Sequence, residues 1–389
     1  MIPHALKLVW NRKRMNALIV LEILISFIVV FAVVAGISIF TINYGRPLGF
    51  DYQNVVTLDV ELPSGSQEES GDRMQALIRA AKHFEGVESA AAVQFQPYFP
   101  GRNVGRWDIN GKLIDFDRNF ATEDYADVMR IPVVEGRWFG REDDGAGWVP
   151  VVIDRDFATA LYGNTSPIGQ EFDPGMNPPQ RVIGVVGDYR ATGEFASRNN
   201  YVFFPANLGL DATRIVARVS PGVYSGEFEE RFVRHLERIV PGASVTGKLL
   251  SQERSVALRV WFVPLFTSAL IASFLLVMVA LGMTGILWQN VTQRTKELGL
   301  RRAVGADRKR VSRQILAEIS FIVTLGLILG VAIIAQVPLM RIFTFLEPVA
   351  FGIAIAASLT VMYGLAIACG LYPSWLAARI EPAEALHYE

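Results

Sequence analysis

Four stretches of the chain are almost free of charge. The first, Ala17–Ile42, holds a single charged residue, Glu22. The second, from Trp261 to Trp288, holds none. The third runs from Ile319 to Met340 and the fourth from Val349 to Leu371. A hydrocarbon core of roughly 30 Å needs about 20 apolar residues as a helix. Each stretch is therefore predicted to cross a membrane, and each exceeds the length of a buried core helix of about 10–14 residues. Val33-Val34-Ala35 imitates a signal-peptide cleavage site, but the apolar run around it is longer than the about 7–15 residues of a signal core.

Between the first two stretches the pattern changes to short apolar runs broken by turns. Asn54–Glu61 alternates as a strand does. Glu68–Phe84 has helical spacing, with Met74, Leu77, Ile78 and Ala81 on one face. Ser89–Phe95 reads as a second strand. The same order returns as Arg214–Val219 (strand), Glu227–Val240 (helix) and Ala243–Leu249 (strand). The piece between, about 107–205, is rich in Gly, Pro and Asp and reads as mostly β with short helices. The expected fold class is an α-helical membrane protein with four transmembrane helices plus a large α+β extracytoplasmic domain. That domain is expected to be a ferredoxin-like βαβ base with an inserted mostly-β lobe.

Basic residues set the orientation, because short cytoplasmic loops retain Lys and Arg. Lys7, Arg12, Lys13 and Arg14 precede the first span. Arg294, Lys296, Arg301, Arg302, Arg308, Lys309, Arg310 and Arg313 lie between the second and third. Both segments are placed in the cytoplasm. The predicted organisation is an N-terminal cytoplasmic segment (1–16), a first span (17–42), a periplasmic domain (43–259) and a second span (260–288). A cytoplasmic loop (289–314), a third span (315–340), a short outer loop (341–348), a fourth span (349–371) and a cytoplasmic tail (372–389) come after it. Over all 389 residues, the apolar share is 51%, the charged share 19% and the net charge −1. That balance offers nothing to nucleic acid. A single Cys, Cys369, excludes a disulfide framework and a Cys-based zinc site.

Candidate chemistry is sparse. Gly242-Ala243-Ser244-Val245-Thr246-Gly247-Lys248-Leu249 nearly spells a phosphate-binding loop, but Leu249 stands where a magnesium-binding hydroxyl is needed. It also follows a helix and enters a strand, the reverse of the required order, so a turn opened by Pro241-Gly242 is expected. Gly184-Val185-Val186-Gly187-Asp188 lacks dinucleotide spacing, and a strand with a bulge or tight turn fits better. His4, His83, His235 and His387 are scattered, with no metal-ligand spacing. Asp143-Asp144 and Glu229-Glu230 read as solvated faces. The chain is expected to be no enzyme and to carry no cofactor or metal of its own.

The cytoplasmic loop is more informative. Glu297–Val304 can form a short helix ended by Gly305, and Asp307 can cap the next helix. A lipid anchor would account for the charges, but not for Leu298, Leu300 and Val304 on so short a helix. Apolar and basic residues projected together suit docking onto a soluble partner.

Arg294–Ala306 resembles the "REIGLRKALGA"-type signature of the MacB/FtsX permease superfamily of ABC transporters. The tail Tyr372–Leu386 is similar to that family's "YPAxxAARxxPxEALR" segment, with His387 where Arg is usual. Gly136-Arg137-Trp138-Phe139, Asp154–Gly169 and Arg181–Asp188 resemble pieces of the MacB-type periplasmic domain. The resemblance implies a permease subunit in a bacterial inner membrane, both termini cytoplasmic, served by a separate ABC ATPase that holds ATP and magnesium. The chain begins about sixteen residues before its first span and has no complete Walker motif, which fits a stand-alone permease. It implies a second permease copy or paralogue in a dimer, a periplasmic adaptor as a further partner, and export or efflux by mechanotransmission. It assigns ATPase coupling to the short helix, here Glu297, Leu298, Leu300, Arg301, Arg302 and Val304. The alternative within the superfamily is an FtsX-like signalling subunit that activates a periplasmic partner such as a cell-wall hydrolase. Outside it stands a membrane receptor or scaffold with no ATPase.

Three residues within the spans are candidates for coupling or structure. Glu22 is an intramembrane acid, a functional hypothesis by default, with a base of Arg308–Arg313 as one expected partner. Gly326 and Gly330 form a small-residue face for close helix packing, either at a dimer interface or inside one protomer.

Overall fold

The computed structural model describes residues 13–109, 112–173, 176–195, 200–208, 213–293, 308–336 and 348–379. The chain divides into two compact units, one of Asn43–Trp261 and one formed by the described residues before and after it.

Helix α1 (Lys13–Tyr44) leads into the first of these units. Strand β1 (Val55–Glu61), helix α2 (Gln67–Lys82) and strand β2 (Val87–Val93) come next. α2 starts at a reciprocal cap. Ser66 Oγ accepts from the Glu69 amide, and the Glu69 carboxylate accepts from the Ser66 amide, both at 3.2 Å. Its buried residues are Met74, Leu77, Ile78 and Ala81, the face expected from their spacing. At the far end of the unit come β9 (Arg214–Val219), α5 (Gly226–Ile239) and β10 (Ser244–Leu249). Ser225 caps α5, which buries Phe228, Phe232 and Leu236.

These two strand–helix–strand pieces interleave into one antiparallel sheet of order β10-β1-β9-β2. Alternation along the strands divides its faces. Val56, Leu58, Ala90, Ala92, Ile215 and Ala217 join the residues of α2 and α5 in one core. Val55, Ala91, Val93 and Val216 belong to a different core, shared with the middle of the chain.

That middle piece contains β3 (Asn103–Ile109), β4 (Lys112–Ala121), α3 (Tyr125–Met129), β5 (Val133–Gly136), β6 (Val149–Asp154), α4 (Arg155–Tyr162), β7 (Gln180–Val186) and β8 (Asn200–Pro205). The sheet continues through it as β4-β8-β6-β7-β5, with β3 hairpinned onto β4. One residue pair, Val93 with Ala121, joins it to the base sheet. The register of β6 on β7 slips beside Gly184, so the strand bulges there. A Cβ on Gly184 would lie 2.1 Å from the Arg137 carbonyl, which only glycine avoids.

Asp154 ends β6 and caps α4, its Oδ1 accepting from the Phe157 amide at 2.9 Å, and it is 1% exposed. Burial pushes its carboxyl up to about 8, against the pull of the Phe157 amide. Between the ordinary carboxyl range and pH 8, the folded domain therefore binds the proton that the unfolded chain has released. Stability contributed at this site falls as pH rises through that window. Asp154→Asn keeps the cap acceptor and removes the titration. We expect the variant's external domain to melt several degrees above wild type at pH 8 and close to it at pH 5, read by thermal denaturation across that range. Parallel wild-type and variant curves would contradict this account.

In the second unit, α1, α6 (Leu250–Gln293), α7 (Arg308–Ile334) and α8 (Pro348–Arg379) pack together. Among the described residues, three helices, over Ala17–Tyr44, Leu250–Gln289 and Pro348–Leu371, are long and apolar enough to cross a membrane. A shorter apolar run, Ile319–Ile334, lies in α7. α6 begins at Leu250, earlier than hydropathy alone marks, because Glu253, Arg254 and Arg259 interrupt the apolar run without interrupting the helix. α1 meets each of the other three helices. Phe40 stacks edge-on against Phe262 at 5.0 Å, and Phe31 against Phe351 at 5.5 Å. The α1–α7 pairing rests on glycines. α7 and α8 meet where Thr324 Oγ1 lies 2.9 Å from the Tyr363 hydroxyl.

Candidate functional site

Three chain segments meet at the root of the Asn43–Trp261 unit: the end of α1 with the residues after it, the loop after β7, and the first turns of α6. Glycine allows the approach. Gly49 sits at φ +81°, and a Cβ there would lie 1.9 Å from the Asp188 carbonyl. The loop is then tied by backbone bonds, Arg190 N to Leu48 O at 2.9 Å and Tyr98 N to Ala191 O at 2.7 Å.

Side chains complete the junction. Arg190, 6% exposed, donates to the carbonyls of Asn43 and Glu194, each at 2.9 Å. Glu194, 4% exposed, accepts from Arg254 Nε at 2.7 Å and Nη2 at 2.6 Å, both on Oε1. The Arg254 guanidinium lies over the Tyr52 ring, 4.8 Å from its centroid. Burial alone would lower the Arg254 pKa, but its hydrogen bond and charge pairing with Glu194 outweigh that and raise it. Next to it on α6, Glu253 accepts from Gln96 Nε2 at 3.3 Å, and burial raises its carboxyl. Phe195 stacks on Trp261, ring centroids 5.2 Å apart.

A second polar knot sits beside the first. Arg218 on β9 donates to the carbonyls of Val128 (2.7 Å), Gln53 (2.9 Å) and Asp51 (3.0 Å). Its Nη1 also lies 3.3 Å from Asp51 Oδ2. Burial lowers the pKa of this guanidinium, with the Asp51 charge opposing. No sequence pattern marks Arg190, Glu194, Arg218 or Arg254 as functional. Glu194 and Arg254 are 60 positions apart, and Arg190 and Asn43 are 147 apart. Arg218, the one charge within the otherwise apolar run Ile215–Val219, is the one available sign.

The residues singled out from sequence distribute as follows. Glu297, Leu298, Leu300, Arg301, Arg302 and Val304 lie outside the described residues. α7, on their C-terminal side, is one helix from Arg308 through Ile334. Glu22 faces α6: a Cβ on Gly282 would lie 3.2 Å from Glu22 Oε2. Gly326 faces Ile23 at 2.8 Å and Gly330 faces Phe27 at 2.5 Å by the same measure, both within one protomer. Gly326 and Gly330 of α7 thus pack on one face of α1, that of Ile23 and Phe27, while Glu22 lies on another, toward α6. The near phosphate loop is a turn and an edge strand. Gly247 and Lys248 pair with Leu58 and Thr57 of β1, and the Lys248 carbonyl accepts from Thr57 Oγ1 at 3.2 Å. Its backbone runs extended along β1 rather than wrapping into a loop. No cluster of three or more potential metal ligands occurs among the described residues.

Comparison with known proteins places this architecture. Residues 17–234 match the family described as MacB-like periplasmic core domain, and residues 269–382 match the FtsX-like permease C-terminal family. The macrolide export ATP-binding/permease protein MacB 1/2 of Paracoccus denitrificans is 29% identical over 281 residues, covering 68% of this chain and 41% of that protein. The chain thus spans less than half the length of this relative. The uncharacterized ABC transporter permease YvrN of Bacillus subtilis is 27% identical over 354 residues, 84% of each chain. The periplasmic region of MacB from Actinobacillus actinomycetemcomitans is 17% identical, covering 54% of this chain and 94% of that one, at a TM-score of 0.38. With one family matched over more than half its length and the second over its C-terminal helices, this chain belongs to the MacB/FtsX-type ABC transporter permeases.

Proposed function

We propose that the chain is the permease subunit of an ATP-driven ABC transporter of MacB type, carrying ATPase motion to its external domain for export or efflux of a substrate. One observation carries the reading: a MacB-like periplasmic core domain and an FtsX-like permease segment occur in that order on one chain, among apolar helices. The reading includes four spans, with Ile319–Ile334 as the centre of the third, and both termini in the cytoplasm of a bacterial inner membrane. The strand order β10-β1-β9-β2 with α2 and α5 on one face supports a ferredoxin-like base. ATP and magnesium belong to a separate ABC ATPase, which docks on Glu297–Val304. A second permease copy or paralogue completes the dimer, and a periplasmic adaptor is a further partner. Glu22, Gly326 and Gly330 fix α1 against α6 and α7, so that the helices move as one body.

The test is purification in mild detergent with an affinity tag on this chain. An ABC ATPase should co-purify, and its ATP turnover should depend on the permease. Cysteines placed at Ser66 and Lys309, in a chain with Cys369 replaced, add the topology: an impermeant thiol reagent on spheroplasts should label the first and spare the second. Recovery of the chain without any ATPase, or outside labelling at position 309, would defeat the proposal. The FtsX-like segment equally favours a signalling subunit of the same superfamily. Co-purification of a cell-wall hydrolase in place of an adaptor would select that reading.

A further inference from the structure

The root junction is polar where a purely structural joint would be apolar. Its central ion pair is also incomplete. Guanidinium–carboxylate pairs frequently engage both oxygens in a fork. Arg254 instead brings Nε and Nη2 to the same oxygen, Oε1 of Glu194. Glu194 Oε2 is buried with no hydrogen-bond partner among the described residues. A half-satisfied buried carboxylate is costly in a medium of low dielectric. Packing holds the pair off its optimum, since Arg254 lies over Tyr52 on one side and meets Glu194 on the other. A small rotation of the first turns of α6 would carry one nitrogen onto Oε2.

A second arrangement, with one nitrogen on Oε2, is the alternative state that a transmission element requires. The pair also sits where three segments converge. Arg190 links the Asn43 carbonyl at the end of α1 to the Glu194 carbonyl. Glu194 links onward to α6. Both bonds fall on the loop that leads from β7 back to β8, that is, on the inserted lobe. The route from α1 to the lobe to α6 runs through two side chains and one short loop. Buried ion pairs add little net stability compared with apolar packing, so folding alone does not account for one here.

We propose that the Glu194–Arg254 pair, seated by Arg190, is a positioning latch through which the outer ends of α1 and α6 set the inserted lobe relative to the base sheet. This inference rests on the proposed role of the chain in carrying ATPase motion outward. All three are positioning residues.

The experiment uses the full chain with its ATPase in lipid nanodiscs. Spin labels go on cysteines replacing Ser64 in the base and Asn164 in the lobe, with Cys369 replaced. Distances are read with and without trapped magnesium-ATP. Wild type should show an ATP-dependent change in distance. Glu194→Gln, which keeps shape and removes the charge, should lose more than half of that change. Its ATP turnover should stay within twofold of wild type and its external domain should melt normally. A purely structural pair would not separate distance change from turnover and melting. An unchanged ATP-dependent distance in Glu194→Gln would overturn the latch. If Glu194→Gln melts early, Arg254→Lys decides by the same reading, since it keeps the charge but loses the fork. Wild type without any ATP-dependent change would instead overturn the transmission role itself.

Discussion

Replacing Leu300 with Asp is expected to weaken capture of the partner ATPase at least about tenfold, with membrane insertion and the external domain unaffected. A carboxylate brought into an apolar contact without a partner costs several kcal/mol, and about 1.4 kcal/mol already amounts to tenfold in affinity. The expectation comes from the sequence around Glu297–Val304: apolar Leu298 and Leu300 and charged Arg301 and Arg302 in a stretch whose pattern predicts a short helix ended by Gly305. The neighbouring helix α7 suits transmission, because it is unbroken from Arg308 to Ile334. A segment that only anchored lipid headgroups would respond in the opposite way. It would tolerate Leu300→Asp and lose function when Arg301 and Arg302 were neutralised together. Pull-down of the ATPase with both variants separates the two. Normal recovery with Leu300→Asp would end the docking assignment and leave the family membership intact.

Arg218→Ala is expected to be the most damaging single change in the external domain. The guanidinium satisfies the carbonyls of Val128, Gln53 and Asp51. Its loss leaves those acceptors without their donor and opens a space behind β9. Breaking such a buried charged network costs about 3–5 kcal/mol. For a unit of this size each kcal/mol moves the melting temperature by about 2–4 °C. A fall of roughly 6–20 °C is therefore expected by calorimetry. Arg218→Lys should recover little, because an ammonium on a flexible stem cannot span three fixed carbonyls. Asp51→Asn should cost much less, since the Asp51 side chain is 31% exposed and keeps its backbone carbonyl. Equal losses from Asp51→Asn and Arg218→Ala would show that the ion pair, not the carbonyl bonds, carries the junction.

Local patterns are readable where one face of an element is buried and its period repeats. Met74, Leu77, Ile78 and Ala81 announce α2 because burial there follows helical spacing, and Arg214–Val219 announces β9 as a short, mostly apolar run buried on both faces. The repeated strand–helix–strand order also points to the interleaved sheet. The start of α6 is less visible: Glu253, Arg254 and Arg259 end the hydropathy signal but are ordinary helix formers. Which partner Gly326 and Gly330 serve cannot be read from spacing, since a small-residue face looks the same toward any helix. Within this chain they meet Ile23 and Phe27. The root junction is invisible for a different reason. Arg190, Glu194 and Arg254 carry no local period, and they meet only after the sheet has brought distant segments together.

The continuity of α6 decides how the external domain can be cut free for biochemistry. Helix at about 1.5 Å per residue makes Leu250–Gln293 far longer than a bilayer's hydrocarbon core requires. Its first turns belong to the Asn43–Trp261 unit. A soluble fragment ending at Leu249, with the last strand of the sheet, removes Arg254 and Glu253 and strands the buried carboxylate of Glu194. A fragment ending at Trp261 keeps the junction closed, but it leaves Val256 and Val260, 59% and 66% exposed, on a bare helical face. The first fragment is expected to be soluble and loose at its root; the second is expected to be rigid there and prone to self-association. Melting and hydrogen exchange at the root measured on the two pieces should therefore disagree, and the piece ending at Trp261, kept dispersed in mild detergent, is the one that reports on the intact permease.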